Sequence, residues 1–242
     1  MVGKEEALLM AGGYVTSAVR CGLGSTVRGM GVYRERILPH LIDRACGSAE
    51  LMAWRSQLAV GLWGTVVEIG FGSGLNMAAY PAEVELVYAV EPAEVARRLA
   101  EPRIAAASAR VEHVGLDGQR IPLDDDSCDH ALCTFTLCTI PDVEAALAEL
   151  RRVVRPGGRF HFLEHGVSPD ERIATWQRRI EPTQKWVADG CHLTRDPAQL
   201  VSDAGFVMER VSSRYARGPK PWSWFTEGFA VNPVNGETLG ED

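Results

Sequence analysis

The sequence has no long apolar run, no cluster of basic residues and no paired cysteines. Near the N-terminus the longest uncharged stretch, Ala7 to Val19, is 13 residues and contains two glycines. A helix crossing a bilayer needs about 20 apolar residues, and a secretory leader opens on basic residues rather than the Glu5 and Glu6 found here. No transmembrane segment is expected, although a helix resting on a membrane surface is compatible with this stretch. The formal charge of −7, with no long Lys/Arg cluster, removes the electrostatic footprint of a nucleic-acid binder. Six cysteines occur without CxxC and without an even framework of spacings, which excludes a disulfide scaffold and fits a reduced, cytoplasmic setting. Six histidines without HxxxH or His/Cys ligand spacing predict no metal.

What is present is alternation. Hydrophobic residues make up 46% of the 242, enough for a single core. From Gly64 onward short apolar runs alternate with helical patterns. "TVVEIG", "LVYAVEP", "RVEHVGLD", "DHALCTFTLCTI" and "RFHFLEH" read as strands, with "AEVARRLAEPRIAAA" as a helix after the second. In "DVEAALAELRRVV" the apolar residues Val143, Ala146, Leu147, Leu150, Val153 and Val154 fall at helical spacing. Asp142 is its N-cap and "RPGG" its stop. A helical insertion over 170–189, the helix "DPAQLVSDAGF" and two strands near 207–214 and 222–230 complete the pattern. Strands alternating with helices predict an α/β, Rossmann-like doubly wound sheet. Residues 1–60 read as a helical N-terminal cap, 61–230 as the core, and the polar 231–242 as a disordered tail.

"VVEIGFGSGLN" carries the functional signal. A dinucleotide loop is spaced G-x-G-x-x-G, whereas Gly70, Gly72 and Gly74 are spaced G-x-G-x-G, with Leu75 where the third glycine of that motif would fall. Such a loop still admits close backbone approach and aims a helix N-terminus at negative charge, which a carboxylate satisfies as well as a phosphate. Glu91, at the end of the next strand, suits the two hydroxyls of an adenosine ribose. Asp117, after the third strand, suits an exocyclic adenine amine. Together these imply a ligand with an adenosine at one end and a carboxylate at the other, and S-adenosylmethionine is such a molecule.

The motifs "VVEIGFGSG", "VEP", "GLDGQRIPLDDDSCDHALC" and "RRVVRPGGRF", in this order, resemble the class I S-adenosylmethionine-dependent methyltransferases. "LCTIPDVEAALAELRRVVRPGGRFHFLEHG", "WQRRIEP", "DGCHLTRD" and "YARGPKPWSWFTEGFA" are similar to a narrower branch. That branch holds bacterial phospholipid- and quinone-methyltransferase-like enzymes related to mammalian alkyl-thiol S-methyltransferases. The resemblance spans residues 32–230. It implies a seven-stranded sheet with its last strand antiparallel. It also implies a donor site formed by Glu68, Gly70, Phe71, Gly72, Gly74, Asn76, Glu91, Pro92, Asp117, Gly118 and Thr134. Phe71 stands where a small residue is common, and Gln119 where a glutamate is frequent, so the loop is more crowded and the adenine end less defined.

Methyl transfer from a sulfonium is an in-line displacement that needs alignment, a dry site and a route for the acceptor's proton. Cys138, Thr139, Asp142, Glu164 and Tyr33 are the expected acceptor-side residues. His165 and His192 are the candidate bases, since an imidazole titrates near neutrality. Cys133 and Cys138, five apart on one strand, would point to opposite faces, which argues against a cysteine cluster with Cys191. The expected activity is methylation of a small, apolar acceptor, a thiol first. N- or C-methylation of a lipid head group or quinone-type ring stays open, as does a non-catalytic donor-binding regulator. Nothing in the sequence sets the oligomeric state.

Overall fold

The structure, a computed structural model, describes residues 33–234. A π-helical turn, Tyr33–Ile37, runs into α1 (Leu38–Cys46). Ser48 then starts α2 (Ala49–Leu58), its hydroxyl accepting the Leu51 N–H at 3.4 Å. The remaining elements alternate as the sequence predicts. They are β1 (Gly64–Ile69), β2 (Val84–Val90), α3 (Glu94–Ala105), β3 (Arg110–Gly115), β4 (Cys128–Thr134), α4 (Val143–Val153), β5 (Val154–His165) and α5 (Glu171–Val187). The last four are α6 (Pro197–Asp203), β6 (Val207–Tyr215), α7 (Lys220–Ser223) and β7 (Trp224–Val231).

Seven strands form one sheet in the order β3-β2-β1-β4-β5-β7-β6. The first five are parallel, and β7 runs antiparallel to both β5 and β6. The central strands of a parallel sheet bury apolar residues on both faces and need cover on both, and they have it. Val67, Ala131 and Phe162 face a layer built on α4 and α6, while Val66, Leu132 and Leu163 face α2 and α3. In α4, Leu147 and Leu150 are fully buried, each worth about 1.5–3 kcal/mol by area. Asp142 caps α4 by accepting the Ala145 N–H at 3.0 Å.

Five expectations change. The fourth strand ends at Thr134 because Phe135 turns the chain at φ 58°, so "FTLCTI" is loop rather than strand. The glycine loop is followed by a four-residue 3₁₀ turn, Leu75–Ala78, with Pro81 close behind, and not by a helix. "RPGG" does not stop α4: the chain turns extended at Val154, and Gly157 (φ 78°) lies in the irregular start of β5. The region read as an N-terminal cap divides in two. α1 leans over the glycine loop, whereas Trp54 and Leu58 of α2 are core; residues before 33 lie outside those described. The core extends further than expected. Val231 belongs to β7, and buried Asn232 donates to the Arg151 and Val154 carbonyls; 235–242 lie outside the described residues.

Candidate active site

The strand order reverses between β1 and β4, and such a switch point opens a crevice at the carboxyl ends of the strands. A cavity of about 520 Å³ lies there, lined by the glycine loop, the ends of β2 and β4, the 116–119 turn, α1 and the end of α5. Gly70 sits at φ 69°, and a Cβ on it would lie 1.9 Å from Thr136 Oγ1. The loop after β1 and the loop after β4 therefore meet only because this residue is glycine. A Cβ on Gly118 would likewise strike Ile69 at 2.5 Å.

Glu91 is pinned at the end of β2. One carboxylate oxygen accepts the Gly72 N–H at 2.7 Å and the other accepts the Ala93 N–H at 2.7 Å. A carboxylate has about four acceptor positions, so each oxygen keeps capacity for a ligand hydroxyl. Burial holds its pKa above the usual range, partly offset by those two N–H donors. Asp117 lines the same cavity and folds its own turn, accepting the Gln119 N–H at 2.9 Å. The Phe71 ring is buried, edge-on to His113 at 5.8 Å between centroids.

Of the residues expected to hold a donor, Gly70, Phe71, Gly72, Glu91, Pro92, Asp117, Gly118 and Thr134 line the cavity. Glu68, Gly74 and Asn76 stand behind it. Asn76 donates to Glu68 at 2.7 Å and Tyr80 donates to its other oxygen at 2.5 Å. Burial lifts Glu68 to about 7 despite those bonds.

Sequence reasoning missed Arg55 of α2, which is 4% exposed. Its guanidinium donates to Asn76 Oδ1 and Thr134 Oγ1, both at 2.6 Å, and lies 5.1 Å from the Phe135 ring centre. A positive charge thus lines the cavity beneath Thr134. Asp43 of α1 was missed as well. It accepts from Ser73 at 2.5 Å and from Arg103 at 2.8 Å, tying α1 to the glycine loop. No motif marks either residue, because both come from helices outside the βαβ pattern.

The acceptor-side candidates separate. Thr139 lines the cavity. Asp142 is spent as the α4 cap, and Tyr33 is half-buried outside the lining. Glu164 is fully buried; one oxygen accepts the Thr136 N–H at 2.7 Å and the Leu137 N–H at 3.0 Å, holding the loop after β4. His192 faces Glu181 at 3.6 Å, and its pKa is lowered by burial and by Arg195 and Lys185. Neither His165 nor His192 lines the cavity.

The expectation against a cysteine cluster is overturned in part. Cys138 lies past the end of β4, in the loop, and comes within 3.8 Å of Cys191, while His165 Nε2 is 2.9 Å from the Cys191 sulfur. Cys133 remains apart, against Glu164. Contacts with the Cys138 sulfur and the His165 imidazole hold the Cys191 thiol far below its ordinary pKa. Burial disfavours a charged His165, but its bond to Cys191 and the charges of Cys191 and Glu164 raise its pKa overall.

A family model described as "Methyltransferase domain" matches residues 67–162, the span from β1 through β5. Thiol S-methyltransferase TMT1B of Rattus norvegicus is 32% identical over 170 residues, covering 68% of this chain and 67% of that protein. The chain belongs to the class I S-adenosylmethionine-dependent methyltransferases. S-adenosylmethionine is the cofactor of this methyltransferase. A phosphatidylethanolamine N-methyltransferase of Cereibacter sphaeroides is 26% identical, covering 55% of this chain and 69% of its own. Among solved structures, a protein of Bacillus halodurans C-125 assigned as a methyltransferase superposes with a TM-score of 0.64 at 14% identity. It covers 77% of this chain and all of its own. The chain spans about two thirds of the length of the thiol S-methyltransferase it matches. No helix among the described residues is long and apolar enough to cross a membrane.

Proposed function

We propose that the chain methylates a small thiol on sulfur. The supporting observation is what the cavity wall holds. Among the described residues its ionisable side chains are Asp43, Cys46, Arg55, Glu91, Asp117 and Asp189, and none of these is an imidazole. A thiol ionises unaided, with a pKa near 8.5, so a few per cent is thiolate at neutral pH; phenols and ammonium groups, near 10, lean on a base. Arg55, buried and positive, favours an anion close by. The likeness to a thiol S-methyltransferase supports the same reading.

In this reading Gly70 and Gly72 bring backbone against the donor, Glu91 takes its ribose, and Asp117 and Gly118 take its adenine. The bound donor supplies an already activated methyl group. Thr139, Ile140 and Pro141 of the loop after β4, with Ala188 and Asp189, form the acceptor wall and keep water out. Glu164 positions that loop. The acceptor's proton leaves to solvent before transfer, so neither His165 nor His192 is required as a base. The cytoplasmic setting expected from the cysteine pattern belongs to this proposal.

The test mixes purified protein, methyl-labelled S-adenosylmethionine and an alkyl thiol, with mass spectrometric detection of the thioether. Labelled thioether, absent with boiled protein, is the expected result. Tight donor binding without thioether would overturn the thiol assignment and favour an amine, lipid head group or ring.

A further inference from the structure

We infer that Cys138, His165 and Cys191 form a binding site for one zinc-class divalent cation. Their three ligand atoms lie within 4.8 Å of one another. They come from three separate segments: the loop after β4, the end of β5, and the turn after α5. Cys138 and Cys191 are 4% and 6% exposed, so these are not surface residues meeting by chance.

The geometry matches a tetrahedral ion. Two thiolates each about 2.3 Å from a tetrahedral zinc stand about 3.8 Å apart. The Cys138 and Cys191 sulfurs are 3.8 Å apart. An imidazole on the same ion would sit about 3.6 Å from each sulfur. His165 Nε2 lies closer to Cys191 than that, at 2.9 Å, so the ring need swing outward by less than 1 Å.

Charge points the same way. Two thiolates and a divalent cation sum to zero, which offsets the cost of burying an anionic sulfur. A disulfide is a poorer account. Its sulfurs would close to about 2.05 Å, and the imidazole would have no part in it. A lone thiolate–imidazolium pair leaves Cys138 without a role. Two cysteines and one histidine give three protein ligands and leave a fourth position for a non-protein ligand.

The cation would clasp the acceptor wall. The backbone there is already stitched, with the His192 N–H donating to the Cys138 carbonyl at 2.8 Å and Arg195 donating to the carbonyls of Leu137 and Ile140. Thr139, next to Cys138, and Ala188 and Asp189, just before Cys191, line the cavity. This role does not depend on which atom accepts the methyl group.

The experiment titrates the chelator-treated full chain with Co²⁺. We expect the intense visible absorption of thiolate-bound tetrahedral cobalt, saturating near one equivalent and abolished by one equivalent of Zn²⁺. C138S and C191S should each weaken Zn²⁺ by more than about 100-fold, beyond the 10–100-fold typical of an outer-shell partner. Their affinity for S-adenosylmethionine, measured alongside, shows whether they fold. Should they not fold, alkylation of the wild-type chain replaces them: Zn²⁺ should shield Cys138 and Cys191 in peptide mass maps. Absence of the cobalt bands, bands that persist in folded C138S/C191S, or no shielding would overturn the site. So would recovery from reducing buffer as a Cys138–Cys191 disulfide.

Discussion

At Gly70 the backbone lies at φ 69°, and Thr136 occupies the space where a side chain would begin. Gly70→Ala adds left-handed strain of about 1 kcal/mol and a contact that only a loop shift relieves. A loss of about 2–4 kcal/mol is expected in chemical denaturation, with donor binding falling in parallel because the two loops no longer meet. Glu91 is a different case, since its ring of partners is local. Glu91→Ala frees the Gly72 and Ala93 N–H groups toward the cavity and, in the proposed function, removes the acceptor for donor hydroxyls. Calorimetric titration with S-adenosylmethionine should show binding weaker by about 10–100-fold, the loss of one charged hydrogen-bonding group. Unchanged affinity would sink the ribose assignment. The positions of Gly70 and Glu91 in the cavity wall were legible because each sits at a strand end of the βαβ pattern. Arg55 was not, since a buried arginine on an N-terminal helix looks in sequence like a surface one.

In the proposed function the acceptor side is set by the loop between β4 and α4. An apolar, threonine-rich stretch reads as continuing strand, and no residue type announces that Phe135 turns at positive φ. Once the strand is cut at Thr134, alternation no longer applies to Cys138. That residue then meets His165 and Cys191, which lie 27 and 53 positions further along, separations that no metal-ligand spacing rule covers. The helices and strands themselves were readable because their apolar periods, as in α4, match the faces they bury. Glu164 supports the loop through two backbone N–H groups on one oxygen, while its other oxygen is buried without a partner. Glu164→Gln retains a carbonyl acceptor and should stay within about 1 kcal/mol of wild type. Glu164→Ala strands both N–H groups, at about 1–3 kcal/mol each. Denaturant midpoints of the two variants test this, and equal losses would show that the loop does not hang on Glu164.

Across the whole molecule, buried titratable groups make stability depend on pH with competing signs. His130 and His161 meet edge to face at 5.9 Å between β4 and β5, buried at 3% and 1% exposure, and burial first of all pushes each to about 4. A histidine near 6.5 when unfolded and near 4 when folded binds its proton more readily in the unfolded chain. Its contribution is complete above pH 6.5 and is lost as pH falls toward 4. Glu68 works the other way: raised to about 7, it favours the folded chain at low pH, and that favour is lost as pH rises through 7. The wild-type curve between pH 4 and 7 is therefore a difference of terms, and a variant isolates one of them. His161 Nδ1 lies 2.7 Å from the Leu58 carbonyl. His161→Gln keeps a donor for that carbonyl and removes the titration. The variant can start less stable at pH 7, yet its stability should fall less steeply on acidification. The wild type should lose on the order of 3 kcal/mol relative to it between pH 6.5 and 4, somewhat more if His130 takes up charge once its neighbour is gone. Parallel curves in guanidinium unfolding over that range would mean that His161 titrates alike in the folded and unfolded chains, and that its burial between the strands carries no proton linkage.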